Sequence, residues 1–325
     1  MKTIPKLKLF FSISALLILV NGCSEQSTSL NTKSEPAPIM DSLVTTQWLS
    51  EHLNDPDLIV LDSSVFIEFD DKGNMSAISG QENFDSGHIP TARFADLKGN
   101  LSATHESFEF VMPSPEQFAN AIGELGVSND SRVVIYSTDN QTWGARLWWM
   151  LRWAGLEQVA LLDGGLKAWK AEGRPISTEP SIYSKAQFNL SLNPQMIADR
   201  DEVIAAIDNE QVSIIDALSE GHYSGKVSMY ARPGHITSAV NMPVSDLFQP
   251  SAHYRSLDEL DMQFEGGLEA ERSKRVITYC GGGIAGSSLA FAMYRLGYTD
   301  VAVYMGSLQE WAVNSENPMT TGEAK

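Results

Sequence analysis

The chain has 325 residues, enough for two ordinary domains, and its composition of 43% hydrophobic and 20% charged residues is that of folded globular proteins. Its formal net charge is −18, with 23 Lys and Arg against 41 Asp and Glu. Because such a charge repels phosphate backbones and no basic stripe offsets it, we expect no nucleic-acid partner. The presence of only two cysteines excludes a disulfide scaffold and a multi-cysteine zinc site.

The first 22 residues have the pattern of a secretory signal peptide. Residues 1–8 are basic, and residues 9–20 form an apolar run too short to span a bilayer comfortably. The run leads to Val-Asn-Gly-Cys at 20–23, which resembles the bacterial lipobox although Asn21 departs from it. We therefore expect a lipid on Cys23, followed by a flexible Ser-, Thr- and Pro-rich tether that ends at residue 42. An ordinary signal peptide cleaved elsewhere is the alternative.

The rest of the chain contains an internal repeat. Three apolar or turn segments recur in the same order, at 58–62 and 212–216, at 87–92 and 234–239, and at 133–136 and 276–279. Short apolar strands that alternate with helices predict parallel βαβ units. We therefore predict an α/β fold of two tandem domains, 43–178 and 195–325, each a mostly parallel sheet with helices on both faces. A polar linker is predicted at 179–194.

Residues shared by both copies are expected to serve the fold, and residues unique to one copy are expected to serve chemistry. Four shared residues end a matched strand or lie in a matched turn: Asp62, Asp216, His88 and His235. The copies differ after the third segment, where Cys280 in the second copy corresponds to Ser137 in the first. If Cys23 belongs to the anchor, Cys280 is the one thiol of the folded body, and the first domain is catalytically silent.

The segment after Cys280 has the features of an anion-binding loop. It runs from a strand end through a glycine-rich turn into a helix, and its residues are Gly281, Gly282, Gly283, Ile284, Ala285 and Gly286. Glycines allow several backbone N–H groups to point at one atom, and the helix N-terminus adds a positive partial charge. Such a loop favours a nucleophilic thiolate at Cys280 and would hold the terminal sulfur of a persulfide.

Three chemistries compete for this loop. The glycines satisfy the dinucleotide fingerprint, but the acidic residue at the right spacing, Asp300, precedes its strand instead of ending it. A cysteine phosphatase loop needs a cation to hold phosphate, and residues 281–287 contain no arginine or lysine. Sulfur transfer through a Cys280 persulfide needs only what the loop supplies, without a cofactor. The spacing of the remaining histidines indicates no metal site.

Taken together, these motifs resemble the tandem-domain rhodanese family of thiosulfate and 3-mercaptopyruvate sulfurtransferases. The resemblance covers nearly all of residues 43–322 and includes Met-Pro-Ser-Pro at 112–115, Arg-Leu-Trp-Trp-Met at 146–150, Asp-Gly-Gly at 163–165 and Gly-His-Ile at 234–236. It implies a silent first domain, a nucleophilic Cys280 in the second and an active site near the domain interface.

Departures from the family pattern concern the substrate. Thiosulfate-type members usually have Arg-Lys after the cysteine, and mercaptopyruvate-type members usually have Gly-Ser. This chain has glycine at both positions. The absence of charge there favours the mercaptopyruvate type. Both types usually carry an arginine at the position of Leu218. Arg232 is the nearest candidate to compensate for that loss, and Arg146 of the first domain could reach the cleft. Trp143 is a further candidate to line it.

These observations predict a lipid-anchored sulfurtransferase of the cell envelope, facing the periplasm or the exterior. It would move a sulfane sulfur from 3-mercaptopyruvate or thiosulfate to cyanide or a thiol, with a redox protein as one candidate acceptor. The alternative is a non-catalytic lipoprotein that carries sulfur or binds a partner.

Overall fold

A computed structural model describes Met1 and residues 40–71, 75–267 and 271–323, and the side chains of residues 266 and 267 are not described. The predicted signal peptide, Cys23 and nearly all of the tether lie outside these residues. Residues 39–325 form one compact unit. No helix in the described part of the chain has the length and apolar character needed to cross a membrane.

The strands in chain order are β1 Leu43–Val44, β2 Leu58–Asp62, β3 Val65–Phe69, β4 Met75–Ser79, β5 Arg93–Phe94, β6 Arg132–Tyr136, β7 Val159–Leu162, β8 Ile197–Ala198, β9 Val212–Asp216, β10 His235–Ile236, β11 Val240–Asn241, β12 Arg275–Tyr279, β13 Val301–Tyr304 and β14 Met319–Thr320. The α-helices are α1 Thr46–His52, α2 Gln81–Ser86, α3 Pro115–Glu124, α4 Thr142–Trp153, α5 Gly165–Ala171, α6 Arg200–Ala206, α7 Glu220–Tyr223, α8 Leu257–Gly267, α9 Ile284–Arg295 and α10 Ser307–Trp311. Short 3-10 helices lie at Pro194–Met196 and Val244–Leu247.

The two halves fold into equivalent parallel sheets, which confirms the predicted architecture. The first sheet has the order β1-β7-β6-β2-β5 and the second the order β8-β13-β12-β9-β11. All pairs within both sheets are parallel. The register is also the same, because Asp62 lies opposite Tyr136 in one sheet and Asp216 lies opposite Tyr279 in the other.

Apolar side chains cover both faces of each sheet. One core cluster fills the inner face of the first sheet around Val133 and Ile135 and continues to the inner face of the second around Val276 and Val303. Separate clusters cover the two outer faces. A continuous inner core explains why the two domains form one compact unit.

Helices α4 and α9 pack against each other at the contact between the domains. Trp148 on α4 packs edge-on against Phe291 on α9, with ring centroids 4.9 Å apart. Both helices end before a glycine with positive φ, at Gly155 and Gly297, which is the conformation that stops a helix without steric cost. The adjacent Trp148 and Trp149 are both buried, because α4 lies between its own sheet and the second domain.

A β-hairpin formed by β3 and β4 lies outside the main sheets. The two strands pair only with each other, in antiparallel register, with Ile67 opposite Ala77 and Phe69 opposite Met75. Several of its apolar side chains are exposed. Three of its residues, Ile67, Met75 and Ala77, line a cavity together with residues of the second domain.

Candidate active site

Cys280 follows the last residue of β12, at the carboxyl end of the central strand of the second sheet. Its backbone N–H donates to Ser307 Oγ at 3.1 Å, and its carbonyl accepts from the N–H of Leu308 at 3.0 Å. The cysteine is 3% exposed, and it is the one cysteine among the described residues. A strand end and the first turn of α10 therefore hold this thiol in a fixed place.

The glycine-rich segment divides into a short turn and a helical turn. Gly283 has φ of 81° and precedes α9, so Ile284, Ala285 and Gly286 already belong to the helix. Gly281, Gly282, Ile284 and Ala285 line a cavity together with Cys280. The remaining two glycines do not line it.

The positions of Gly283 and Gly286 have structural explanations. A methyl group on Gly283 would lie 2.6 Å from Nη1 of Arg146, and one on Gly286 would lie 3.1 Å from Cα of Tyr279. Gly286 thus allows α9 to pack closely on β12. These contacts concern the Cα substituents of the two glycines, so the role of the backbone N–H groups of residues 281–286 in holding the sulfur stays a prediction.

The cavity beside Cys280 has a volume of about 420 Å³ and lies between the domains. The first domain contributes the predicted Trp143, whose ring lies 4.8 Å from that of Phe110. The second domain contributes Leu218 and Phe248. The position where the family usually has arginine is thus in the site, and in this chain it presents an apolar side chain.

Arg146 approaches the Cys280 loop from behind and does not line the cavity. Its Nη2 donates to the carbonyl of Phe110 at 2.8 Å, and its Nη1 contacts the sulfur of Met305. Burial lowers the pKa of Arg146 to about 10, and the negative charge of the Cys280 thiolate acts in the opposite direction. It forms no ion pair with any described carboxylate. This fully buried guanidinium is therefore a local source of positive charge behind the loop.

Arg232, the candidate to bind an anionic donor, instead forms hydrogen bonds with the backbone near the end of α10. Its guanidinium donates to five backbone carbonyls at and after the end of α10, those of Trp311, Ala312, Asn314, Ser315 and Asn317. It is absent from the cavity lining. The carbonyls at a helix end lack partners within the helix, and this arginine supplies them. The geometry therefore gives no support to Arg232 as a ligand of the donor.

Tyr230 is a site residue that sequence reasoning missed. It lines the cavity, and its hydroxyl oxygen lies so close to Gly281 that a methyl group there would overlap it. Burial, with a smaller contribution from the charge of Cys280, raises the pKa of Tyr230 well above its ordinary value. The hydroxyl is thus protonated at neutral pH and available as a donor. Tyr230 lies in a loop without periodicity, so the sequence offered no signal for it.

The four residues shared by the two copies form matching structural networks. Asp216 Oδ1 accepts from the N–H of Leu218 at 2.8 Å, and Asp62 Oδ1 accepts from Ser64 at 2.9 Å. His235 stacks on Tyr223, with centroids 3.6 Å apart. His88 stacks in the same way on Phe84, with centroids 4.0 Å apart. These positions agree with the expected role in the fold.

Burial gives the two aspartates an unusual titration. The loss of hydration raises the pKa of both Asp62 and Asp216 to about 6. In each case hydrogen bonds from the backbone oppose that effect without cancelling it.

Comparison with known proteins identifies the class. The model of the rhodanese-like domain matches residues 45–172 and again residues 199–314. The thiosulfate sulfurtransferase of Gallus gallus is 32% identical over 277 residues, covering 83% of this chain and 93% of the relative. The 3-mercaptopyruvate sulfurtransferase of Escherichia coli K12 is 30% identical over 280 residues, covering 85% and 96%.

A solved structure supports the same assignment. SseA, a 3-mercaptopyruvate sulfurtransferase from Escherichia coli, superposes with a TM-score of 0.72 at 30% identity, covering 82% of this chain and 99% of SseA. The chain belongs to the rhodanese family and has two rhodanese-like domains. The prediction that it is a sulfurtransferase is confirmed by these relatives.

Proposed function

We propose that this enzyme transfers sulfur through a persulfide on Cys280. The thiolate attacks the outer sulfur of thiosulfate or the thiol sulfur of 3-mercaptopyruvate, and an S–S bond forms. The bond that joins this sulfur to the rest of the donor breaks, and its electron pair leaves on the donor. With thiosulfate the leaving group is sulfite. With 3-mercaptopyruvate it is the enolate of pyruvate, which takes up the thiol proton. Cyanide or a thiolate then removes the outer sulfur and regenerates the Cys280 thiolate.

The observation that carries this proposal is the surroundings of the Cys280 sulfur. The thiol lies beside an open cavity, at the N-terminal end of α9, with the buried cation of Arg146 behind its loop. Both the helix terminus and the cation stabilise a negative charge on sulfur. In the first domain the corresponding Ser137 is buried, with its hydroxyl 3.4 Å from that of Ser63, and offers no thiolate.

The test is turnover with thiosulfate and with 3-mercaptopyruvate, measured as thiocyanate formed from cyanide. We expect Cys280→Ser to abolish turnover with both donors, and Ser137→Ala, its counterpart in the silent domain, to retain it. Turnover by Cys280→Ser at the wild-type rate would contradict the proposal. Stoichiometric loading of Cys280 without turnover would favour a non-catalytic sulfur carrier.

We also propose that the enzyme is anchored in the cell envelope by a lipid on Cys23. Support comes from the sequence alone, namely the basic and apolar leader and the tether that follows the cysteine. In a bacterial host, the full chain should incorporate labelled fatty acid and sediment with membranes, and Cys23→Ser should do neither. Equal labelling of both forms would contradict the anchor.

A further inference from the structure

We infer that the cavity beside Cys280 selects an organic sulfur compound with an apolar body and at most one negative charge, and disfavours small dianions. This inference rests on the proposed function and specifies its substrate class. It depends on three features of the cavity: its lining, the position of the nearby cations and the orientation of the β3–β4 hairpin.

The cavity wall is mostly apolar. Side chains from both domains contribute to it, among them Phe110, Trp143, Leu218, Val244, Phe248 and Ile284. At about 420 Å³ the cavity lies within the range of roughly 300–1,000 Å³ typical of sites for organic ligands. An inorganic ion the size of thiosulfate would leave most of this apolar surface uncovered.

No cation lines the cavity among the residues that the structure describes. The one charged residue in the lining is Glu109, whose carboxylate pairs with Lys98 Nζ at 3.2 Å. Lys98 also donates to the carbonyl of Ala77, and Arg146 is held behind the wall by the carbonyl of Phe110. A dianion entering the cavity would lose hydration without gaining a charged partner. The net charge of −18 adds a long-range repulsion.

The β3–β4 hairpin extends the apolar wall toward solvent. Side chains of opposite residues in an antiparallel pair lie on the same face, so Ile67, Ala77, Phe69 and Met75 share one face. Three of them line the cavity, namely Ile67, Met75 and Ala77. Phe69 and Met75 are 64% and 46% exposed, so the apolar face of the hairpin continues from the cavity into solvent. An aryl or alkyl group next to the reacting sulfur would cover this face.

Thiosulfonates allow charge and size to be varied within one reaction. In benzenethiosulfonate a phenyl group replaces one charged oxygen of thiosulfate. The Cys280 thiolate forms a bond to the outer sulfur while the bond between the two donor sulfurs breaks, and its electron pair leaves on benzenesulfinate. The charge is conserved in this step. The reactants carry one negative charge on the thiolate and one on the donor, and the products carry one on the persulfide and one on the sulfinate. Methanethiosulfonate has the same charge and a small body.

The experiment measures kcat/KM for these three donors with the full chain and cyanide as acceptor. In the wild type we expect benzenethiosulfonate to exceed methanethiosulfonate, and methanethiosulfonate to exceed thiosulfate. Leu218→Arg should raise kcat/KM for thiosulfate about tenfold or more, since it supplies a charge-assisted hydrogen bond. Leu218→Met, which adds no charge, should leave the order of donors unchanged.

A matched pair of variants tests the hairpin. Ile67 and Ile78 are 38% and 39% exposed and lie on opposite faces of the hairpin, and only Ile67 lines the cavity. We expect Ile67→Gln to lower kcat/KM for benzenethiosulfonate about threefold or more, and by a larger factor than for thiosulfate, because it removes apolar contact area. Ile78→Gln should affect neither donor.

Two results would overturn the inference while sulfur transfer by Cys280 stands. One is a wild-type preference for thiosulfate over both thiosulfonates. The other is an equal effect of Ile67→Gln and Ile78→Gln on benzenethiosulfonate. Failure of all three donors while 3-mercaptopyruvate still supports turnover would also overturn this inference alone. Failure of these donors and of 3-mercaptopyruvate, in the wild type and in Leu218→Arg, would overturn both this inference and the proposed function.

Discussion

Nη1 of Arg146, on a helix of the first domain, lies against Gly283, three residues after Cys280 in the second domain. A methyl group on Gly283 would lie 2.6 Å from that nitrogen. The first domain thus contributes a buried positive charge to the loop that follows Cys280 in the second domain.

Replacing Arg146 should make Cys280 less reactive. We expect Arg146→Gln, in a Cys23→Ser background that leaves Cys280 as the one thiol, to slow alkylation by iodoacetamide at pH 7 about tenfold. The reason is that the thiolate loses a nearby cation in a poorly hydrated environment. Arg152→Gln, on the same helix but paired with Glu157, serves as the control. Equal alkylation rates in the two variants would show that Arg146 serves only the packing.

Tyr230 should assist the departure of the donor. Its raised pKa keeps the hydroxyl protonated beside Gly281, where it can donate a hydrogen bond to the charge that develops on the leaving group. We expect Tyr230→Phe to lower kcat about tenfold and to change KM little. Tyr294→Phe, an exposed position on α9, should leave both constants unchanged. A Tyr230→Phe variant with wild-type kcat would contradict this role.

The buried Asp216 should make the free energy of unfolding fall as pH rises from about 4 to 6. The folded state holds the proton up to its pKa of about 6, whereas the unfolded chain releases it near the ordinary value of 3.8. The stability from the protonated form is therefore fully present below pH 4 and is lost above pH 6.

The Asp216→Asn side chain cannot titrate. The free energy of unfolding of the wild type minus that of the variant should therefore fall by up to about 3 kcal/mol between pH 4 and 6. Denaturant unfolding at several pH values measures it, with Asp258→Asn, exposed on α8, as the control. A pH-independent difference between wild type and Asp216→Asn would contradict the assignment.

The repeat made the architecture predictable from sequence, and it also singled out Cys280 as the proposed nucleophile. Matching strands that end in Asp62 and Asp216 predict equivalent sheets, and the difference between Ser137 and Cys280 predicts which copy is active. These features depend on local pattern, which a sequence displays directly. A motif also indicated that Leu218 belongs to the site, because Leu218 comes two residues after Asp216. The backbone N–H of Leu218 donates to the Asp216 carboxylate, and this hydrogen bond fixes its position.

The cations and the cavity wall were less predictable, since they depend on contacts between distant segments. Arg232 and Arg146 look equivalent as candidates in the sequence, yet Arg232 donates hydrogen bonds to carbonyls at the end of α10 and Arg146 lies behind the Cys280 loop. The contribution of Ile67 requires the hairpin to lie over the other domain's cysteine. The β-branched and aromatic residues at 65–69 and the Gly-Asn pair at 73–74 are a hairpin signal, but they do not indicate what the hairpin covers.

The central claim is that Cys280 accepts the sulfur atom, and intact-protein mass tests it most directly. Reduced protein in the Cys23→Ser background is exposed separately to thiosulfate, 3-mercaptopyruvate and benzenethiosulfonate, and then to cyanide. We predict a gain of one sulfur atom with at least one donor, its removal by cyanide, and no gain in the Cys280→Ser variant. A sulfur atom that Cys280→Ser still acquires, or no gain with any donor, would contradict the account.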